Sequence, residues 1–145
     1  MKVERSIEIG ASPEAIFAVV MDPTRLGEWV TIHDELKSAP DGPLRKGSKL
    51  EQSLKVAGQR FDVSWTVAEA KRPSRIVWEG RGPARTTARA VYELAPISAG
   101  TRFEYLNEYE LPGGALGSLA GRAISGRAGK ESEESLLRLK ALMEH

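Results

Sequence analysis

Apolar and polar residues alternate from Val3 to Ile9, the period of a strand with one wet face. Ser12-Pro13-Glu14 then reads as a helix start: a capping hydroxyl, proline at the first helical position and an acid in the first turn. The helix it opens, Pro13–Val20, is short and apolar on one side, and Asp22-Pro23 closes it. Residues 23–29 support a second brief helical segment. Period two then returns as far as Pro112, interrupted by turn residues. Strands are expected over 32–38, 48–56, 60–70, 75–80, 84–94 and 102–111, with turns at 40–43, 57–58 and 72–74 and a loop at 95–101. Tight turns and polar outer faces describe an antiparallel meander wet on one side. After Pro112-Gly113-Gly114 the period becomes helical, and a helix is expected over 115–143, roughly 45 Å at 1.5 Å per residue.

The inward faces carry most of the information. Of nine aromatic residues, seven (Phe61, Trp65, Trp78, Tyr92, Phe103, Tyr105 and Tyr109) fall on the core-facing parity of strands. They either fill a core or line a ligand. Pairing residues 84–94 with 102–111 so that Glu93 meets Arg102 and Arg85 meets Glu110 matches the outer charges. That register sets Ala90 beside Tyr105 and Ala88 beside Asn107. Small residues next to large polar-tipped ones leave room, which favours a pocket. Gln52 and Asn107 share the inward parity and, if buried, need partners in backbone, tyrosine, water or ligand.

The long helix has two different halves. Leu136, Leu137, Leu139, Leu142 and Met143 make its second half amphipathic, whereas Gly117, Gly121, Ser125 and Gly129 form a smooth stripe in its first half. That stripe suits close packing on the sheet or an opening for ligand entry; replacing Gly117 or Gly121 by alanine is expected to overpack it. Glu131, Glu133 and Glu134 read as a solvated flank.

Composition narrows the classes. In 145 residues, 21 basic and 20 acidic side chains are interleaved for a net charge of +1, so no basic stripe points to nucleic acid. There is no cysteine, which removes disulfides and thiolate chemistry and fits a reducing compartment. With His33 and His145 the only imidazoles, neither a metal site nor a redox cofactor is expected. The apolar run 15–21 is too short and too late for a secretory peptide, and no stretch reaches the roughly 20 apolar residues of a membrane span. The chain is therefore read as a single cytoplasmic domain, monomer or homodimer, without stable membrane insertion.

Strand, two short helices, six strands and one long helix is the helix-grip order. The segments IEIGASPEAIFAVVMDPTRLGEWV and YELPGGALGSLAGRAI resemble the entry and the last-helix approach of the START-like, SRPBCC superfamily related to polyketide cyclases and dehydrases. The resemblance spans essentially the whole chain. It implies an α+β fold whose curved antiparallel sheet of about seven strands encloses a pocket with the C-terminal helix. Relatives by that resemblance include lipid-transfer domains, coenzyme Q-binding proteins, aromatic polyketide cyclases and Hsp90-activator domains, so fold alone leaves the use open.

The first expectation is therefore a binding module for a small hydrophobic or aromatic molecule. Trp65, Trp78, Tyr92, Phe103, Tyr105, Asn107, Tyr109, Gln52 and Phe61 are its candidate lining. The alternatives are a cyclase or dehydratase and a protein-interaction domain. An enzyme needs an inward acid or base, and Asp34, on the parity of Ile32 and Leu36, is the candidate. Neighbouring His33 points to the opposite face and sits at the mouth; Trp29 plugs the pocket's end.

Overall fold

The computed structural model describes residues 2–56, 58–110 and 119–144, with side chains from 126 onward in the last segment. Seven strands form one antiparallel sheet in the order β1-β7-β6-β5-β4-β3-β2. They are β1 Lys2–Ile9, β2 His33–Ser38, β3 Lys49–Val56, β4 Gln59–Lys71, β5 Arg75–Arg81, β6 Thr87–Ile97 and β7 Gly100–Glu110. Helices α1 (Pro13–Val20) and α2 (Leu26–Trp29) follow β1, and α3 (Leu119–Glu144) closes the chain. Ser12 accepts a hydrogen bond from the Ala15 amide, so the cap read in the sequence is made, and Asp22, read there as closing α1, also caps the next turn by accepting from the Thr24 amide. The 26 residues of α3 span about 39 Å. Among the described residues no helix is long and apolar enough to cross a membrane.

Three expectations are corrected. The loop at 95–101 is mostly strand: β6 and β7 stay paired to Ile97↔Gly100, leaving Ser98 and Ala99 as the turn. β6 begins at Thr87 rather than residue 84, because Pro83–Arg85 forms a 3₁₀ turn with Ala84 and Arg85 at φ of 54° and 62°. The β6–β7 register lies two residues from the charge-matched one, with Glu93 opposite Glu104, Ala90 opposite Asn107 and Ala88 opposite Tyr109. A two-residue turn dictates register, and exposed ion pairs worth roughly 0–1 kcal/mol do not override it. Glu93 instead pairs with Arg75 of β5 at 2.6 Å. A shift of two keeps every side chain on its expected face.

The layer between sheet and helices is solid at one end and hollow at the other. Ile16, Phe17 and Val20 of α1, with Trp29, Ile9, Ile76, Phe103, Leu136 and Leu139, make the solid end, each 3 % exposed or less. Farther along the same strands the inward residues shrink, and α3 changes from leucine to small and polar residues.

A candidate ligand-binding cavity

The hollow end is a cavity of about 500 Å³, within the range of small-molecule sites. Its floor is explained by strand register. Trp65 lies opposite Gly80, Gly80 opposite Ala88, and Ala88 opposite Tyr109. The next row runs Val67, Trp78, Ala90, Asn107. Trp65 lies across Gly80, and Ala88 and Ala90, flanked by larger residues, leave space under the helix. Leu26 and Val30 close one side; Leu50, Leu54, Val56, Phe61 and Val63 close another. Ala128, Glu131, Ser132 and Ser135 of α3 form the roof.

Eight of the nine candidate residues line this space: Gln52, Phe61, Trp65, Trp78, Tyr92, Tyr105, Asn107 and Tyr109. Phe103 does not. It is fully buried two residues deeper along β7, in edge contact with Trp29 at 6.4 Å and close to Tyr92 at 5.6 Å. Trp29 likewise is 0 % exposed and belongs to the solid end, where it meets Tyr92 and Tyr105 at 5.7 and 5.9 Å. It underlies the cavity rather than plugging it.

Asp34 faces away from the cavity. β2 is bulged between His33 and Glu35, so His33 pairs inward with Leu54 and Leu36 with Gln52, while the extra residue turns Asp34 outward. There its carboxylate meets Arg60 at 2.7 Å. Strict alternation had put it on the wrong side. His33 instead reaches Gln52, and the three side chains form a relay. The Trp65 indole N–H donates to Gln52 Oε1 at 2.9 Å, and Gln52 Nε2 donates to His33 Nδ1 at 2.8 Å. Because an indole can only donate, the amide orientation follows and His33 is the neutral Nε2–H tautomer. Burial lowers the His33 pKa, and nearby Asp34 offsets this in part. Both ends of the Gln52 amide are thus used to hold the wall.

Asn107 donates to Ser132 Oγ at 3.4 Å, linking sheet to roof. Burial pushes the hydroxyls of Tyr92, Tyr105 and Tyr109 above their usual range, with Asn107 opposing the shift at Tyr105. All three are neutral donors at any physiological pH.

The helix roof escaped the sequence reading. Glu133 and Glu134 are exposed as expected, but Glu131 lines the cavity and accepts a hydrogen bond from the Thr31 hydroxyl. Thr31 also donates its backbone N–H to Ser135 Oγ at 3.1 Å. The signal was present: counting back from buried Leu139 by helical steps gives Ser135, Ser132 and Ala128. Their small or polar character concealed an inward face. Of the glycine stripe, Gly129 is buried, with an added Cβ 2.7 Å from Arg5 Nη2. Gly117 lies outside the described residues, as do the surroundings of Gly121 and Ser125.

A wider, open depression of about 860 Å³ lies over Glu35, Lys37, Arg60 and Asp62. Those charges already pair with one another or with Asp34, so it has the character of a salt-bridged outer surface. No three His, Asp or Glu side chains among the described residues gather as a metal site would require.

The model of the polyketide cyclase / dehydrase and lipid transport family matches residues 1–144. The chain belongs to that family. The chain is 27 % identical over 135 residues to a Mycobacterium tuberculosis protein named Toxin Rv0910, covering 93 % of this chain and 92 % of that one. It is 28 % identical over 136 residues to the uncharacterized protein Rv1546 of the same organism, covering 91 % and 94 %. Among solved structures, TTHA0849 from Thermus thermophilus superposes with a TM-score of 0.77 at 17 % identity, covering 97 % of this chain and 95 % of that one. CV1439 from Chromobacterium violaceum gives 0.75 at 18 %, covering 99 % and 98 %. These likenesses establish the helix-grip fold.

Proposed function

We propose that this chain binds a small apolar or aromatic molecule inside the cavity between its sheet and α3. The observation that carries the reading is the floor: Ala88 and Ala90 lie in register between Gly80 and Trp78 on one strand and Tyr109 and Asn107 on the other, with Trp65 folded over Gly80, so strand pairing itself builds the space. Affinity would come from desolvation, at about 2.5 kcal/mol per 100 Å² of apolar surface buried. Membership of a family described by both cyclase and lipid-transport roles supports a ligand of that general kind.

The test fills the floor. Ala88 is half-buried and lines the cavity. Ala88→Phe should occupy that volume, abolish binding of an apolar fluorescent probe and leave the melting temperature within a few degrees of wild type. Native mass spectrometry of the purified protein should find a co-purifying small molecule in wild type and not in the variant. A wild-type protein that binds no apolar probe, or a variant that binds as well, overturns the reading.

A further inference from the structure

Every described residue lining the cavity is uncharged except one, Glu131. Its side chain is 23 % exposed and is held by the Thr31 hydroxyl at Oε2. Among the described residues, the cation paired with it is Arg127, which is 55 % exposed and stands 3.8 Å from Oε1, beyond hydrogen-bond length. Among the described residues no hydrogen-bond donor takes Oε1, so that oxygen remains an acceptor, on a carboxylate fixed in place before any ligand arrives. The other polar groups of the wall are amides, hydroxyls and indoles, all neutral, and among them the Trp78 N–H is buried without a partner among the described residues.

We propose that Glu131 makes the cavity selective for the ligand's polar end, favouring a hydroxyl or amine and rejecting a carboxylate or phosphate. This rests on the binding function proposed above and adds the ligand's class: an apolar or aromatic body carrying a hydrogen-bond donor. A hydroxyl or ammonium group can donate to Glu131 without leaving a buried acceptor empty. An anionic end group finds no cation among the described lining residues and meets a fixed negative charge. Two like charges about 5 Å apart in a partly desolvated site repel strongly, and with Arg127 screening part of the effect the discrimination should still be about tenfold or more.

Three probes of equal chain length separate the possibilities: 1-decanol, decylamine and decanoic acid, each below its micellar concentration at pH 7.5. Each displaces an apolar fluorescent dye from wild type and from Glu131→Gln, which can keep the Thr31 contact. Decanol and decylamine should bind wild type at least about tenfold more tightly than decanoate. In Glu131→Gln the decanoate deficit should shrink to within about threefold and decylamine should lose its advantage, with decanol little changed. Decanoate binding wild type as well as decanol, or a deficit unaltered in the variant, overturns the selectivity while the container survives. If neither the dye nor any of the three binds, the container reading itself fails.

Discussion

Gly80 lies opposite Trp65, and a Cβ built on it would stand 2.7 Å from Cε3 and Cζ3 of that indole. The ring rests across the bare backbone of β5, and its N–H reaches Gln52 at 2.9 Å from that position. A methyl group at residue 80 therefore has to move a rigid, hydrogen-bonded side chain. Overpacking of this kind typically costs about 1–3 kcal/mol, against a gain below about 1 kcal/mol from replacing a strand glycine. Gly80→Ala should melt lower than wild type, shift the tryptophan emission and weaken binding of an apolar probe. Melting at or above wild type with unchanged emission would mean that the indole is not seated on Gly80. Gly100 is more constrained still, at φ of 143° with an added Cβ 2.2 Å from the Ile9 carbonyl oxygen. It fixes the β6–β7 turn against β1, and with it the register that puts Ala88 opposite Tyr109.

Among elements, α3 and edge strand β1 are tied together along their lengths. Arg5 Nε meets Glu133 at 2.9 Å, Lys140 donates to the Glu8 carbonyl at 2.8 Å, and the Gly10 amide donates to Glu144 at 2.6 Å. Helix side chains thus satisfy backbone groups at the end of an edge strand, where pairing with other chains is a hazard. Gly129 lets Arg5 cross the helix, but what it touches is the tip of a flexible side chain. For Gly129→Ala the helix gains about 1 kcal/mol of propensity, while displacing Arg5 forfeits an exposed ion pair worth roughly 0–1 kcal/mol. The variant should melt at the wild-type temperature or a few degrees above it. A clear drop in a thermal melt would show that the Arg5 contact outweighs helix propensity. The stripe's last member therefore behaves differently from the overpacking expected of Gly117 and Gly121.

In the whole molecule, one sheet serves a solid core at one end and an empty space at the other, and α3 roofs both. Leu136 and Leu139 cover the core; Ala128, Glu131, Ser132 and Ser135 cover the cavity. The two ends should respond differently to perturbation, and His33 offers a pH handle on the hollow one. Its folded pKa is lowered from 6.5 by burial, so folding favours the neutral ring that accepts from Gln52. Between 6.5 and the lower folded value the unfolded chain binds more protons, and stability falls as pH drops through that window. Asp62 and Glu144, whose pKa values are lowered from 3.8 and 4.5, titrate below it. Urea midpoints should therefore fall between pH 7.5 and 5.5 in wild type and fall less in His33→Gln. Equal changes in both proteins would show that the His33–Gln52 contact does not couple to folding.

Much of this was legible in the chain itself. Alternation gave the strands and their faces, Ser12-Pro13 gave the start of α1 and Asp22-Pro23 its end, and inward parity found eight cavity residues, because each signal is local and periodic. Three features depended on contacts between distant segments. The β6–β7 register followed a tight turn packed on β1 rather than surface charge, and the β2 bulge reversed Asp34. A third was the inward placement of Glu131, whose charge hides it on a helix that sequence periodicity reads by its leucines. Its orientation depends on where α3 crosses Thr31. The sequence by itself determined which residues face inward along regular strands, since side-chain direction there alternates residue by residue. Only the tertiary structure decided which inward faces meet one another and which stand apart, because an empty space belongs to no single segment and exists only between packed ones.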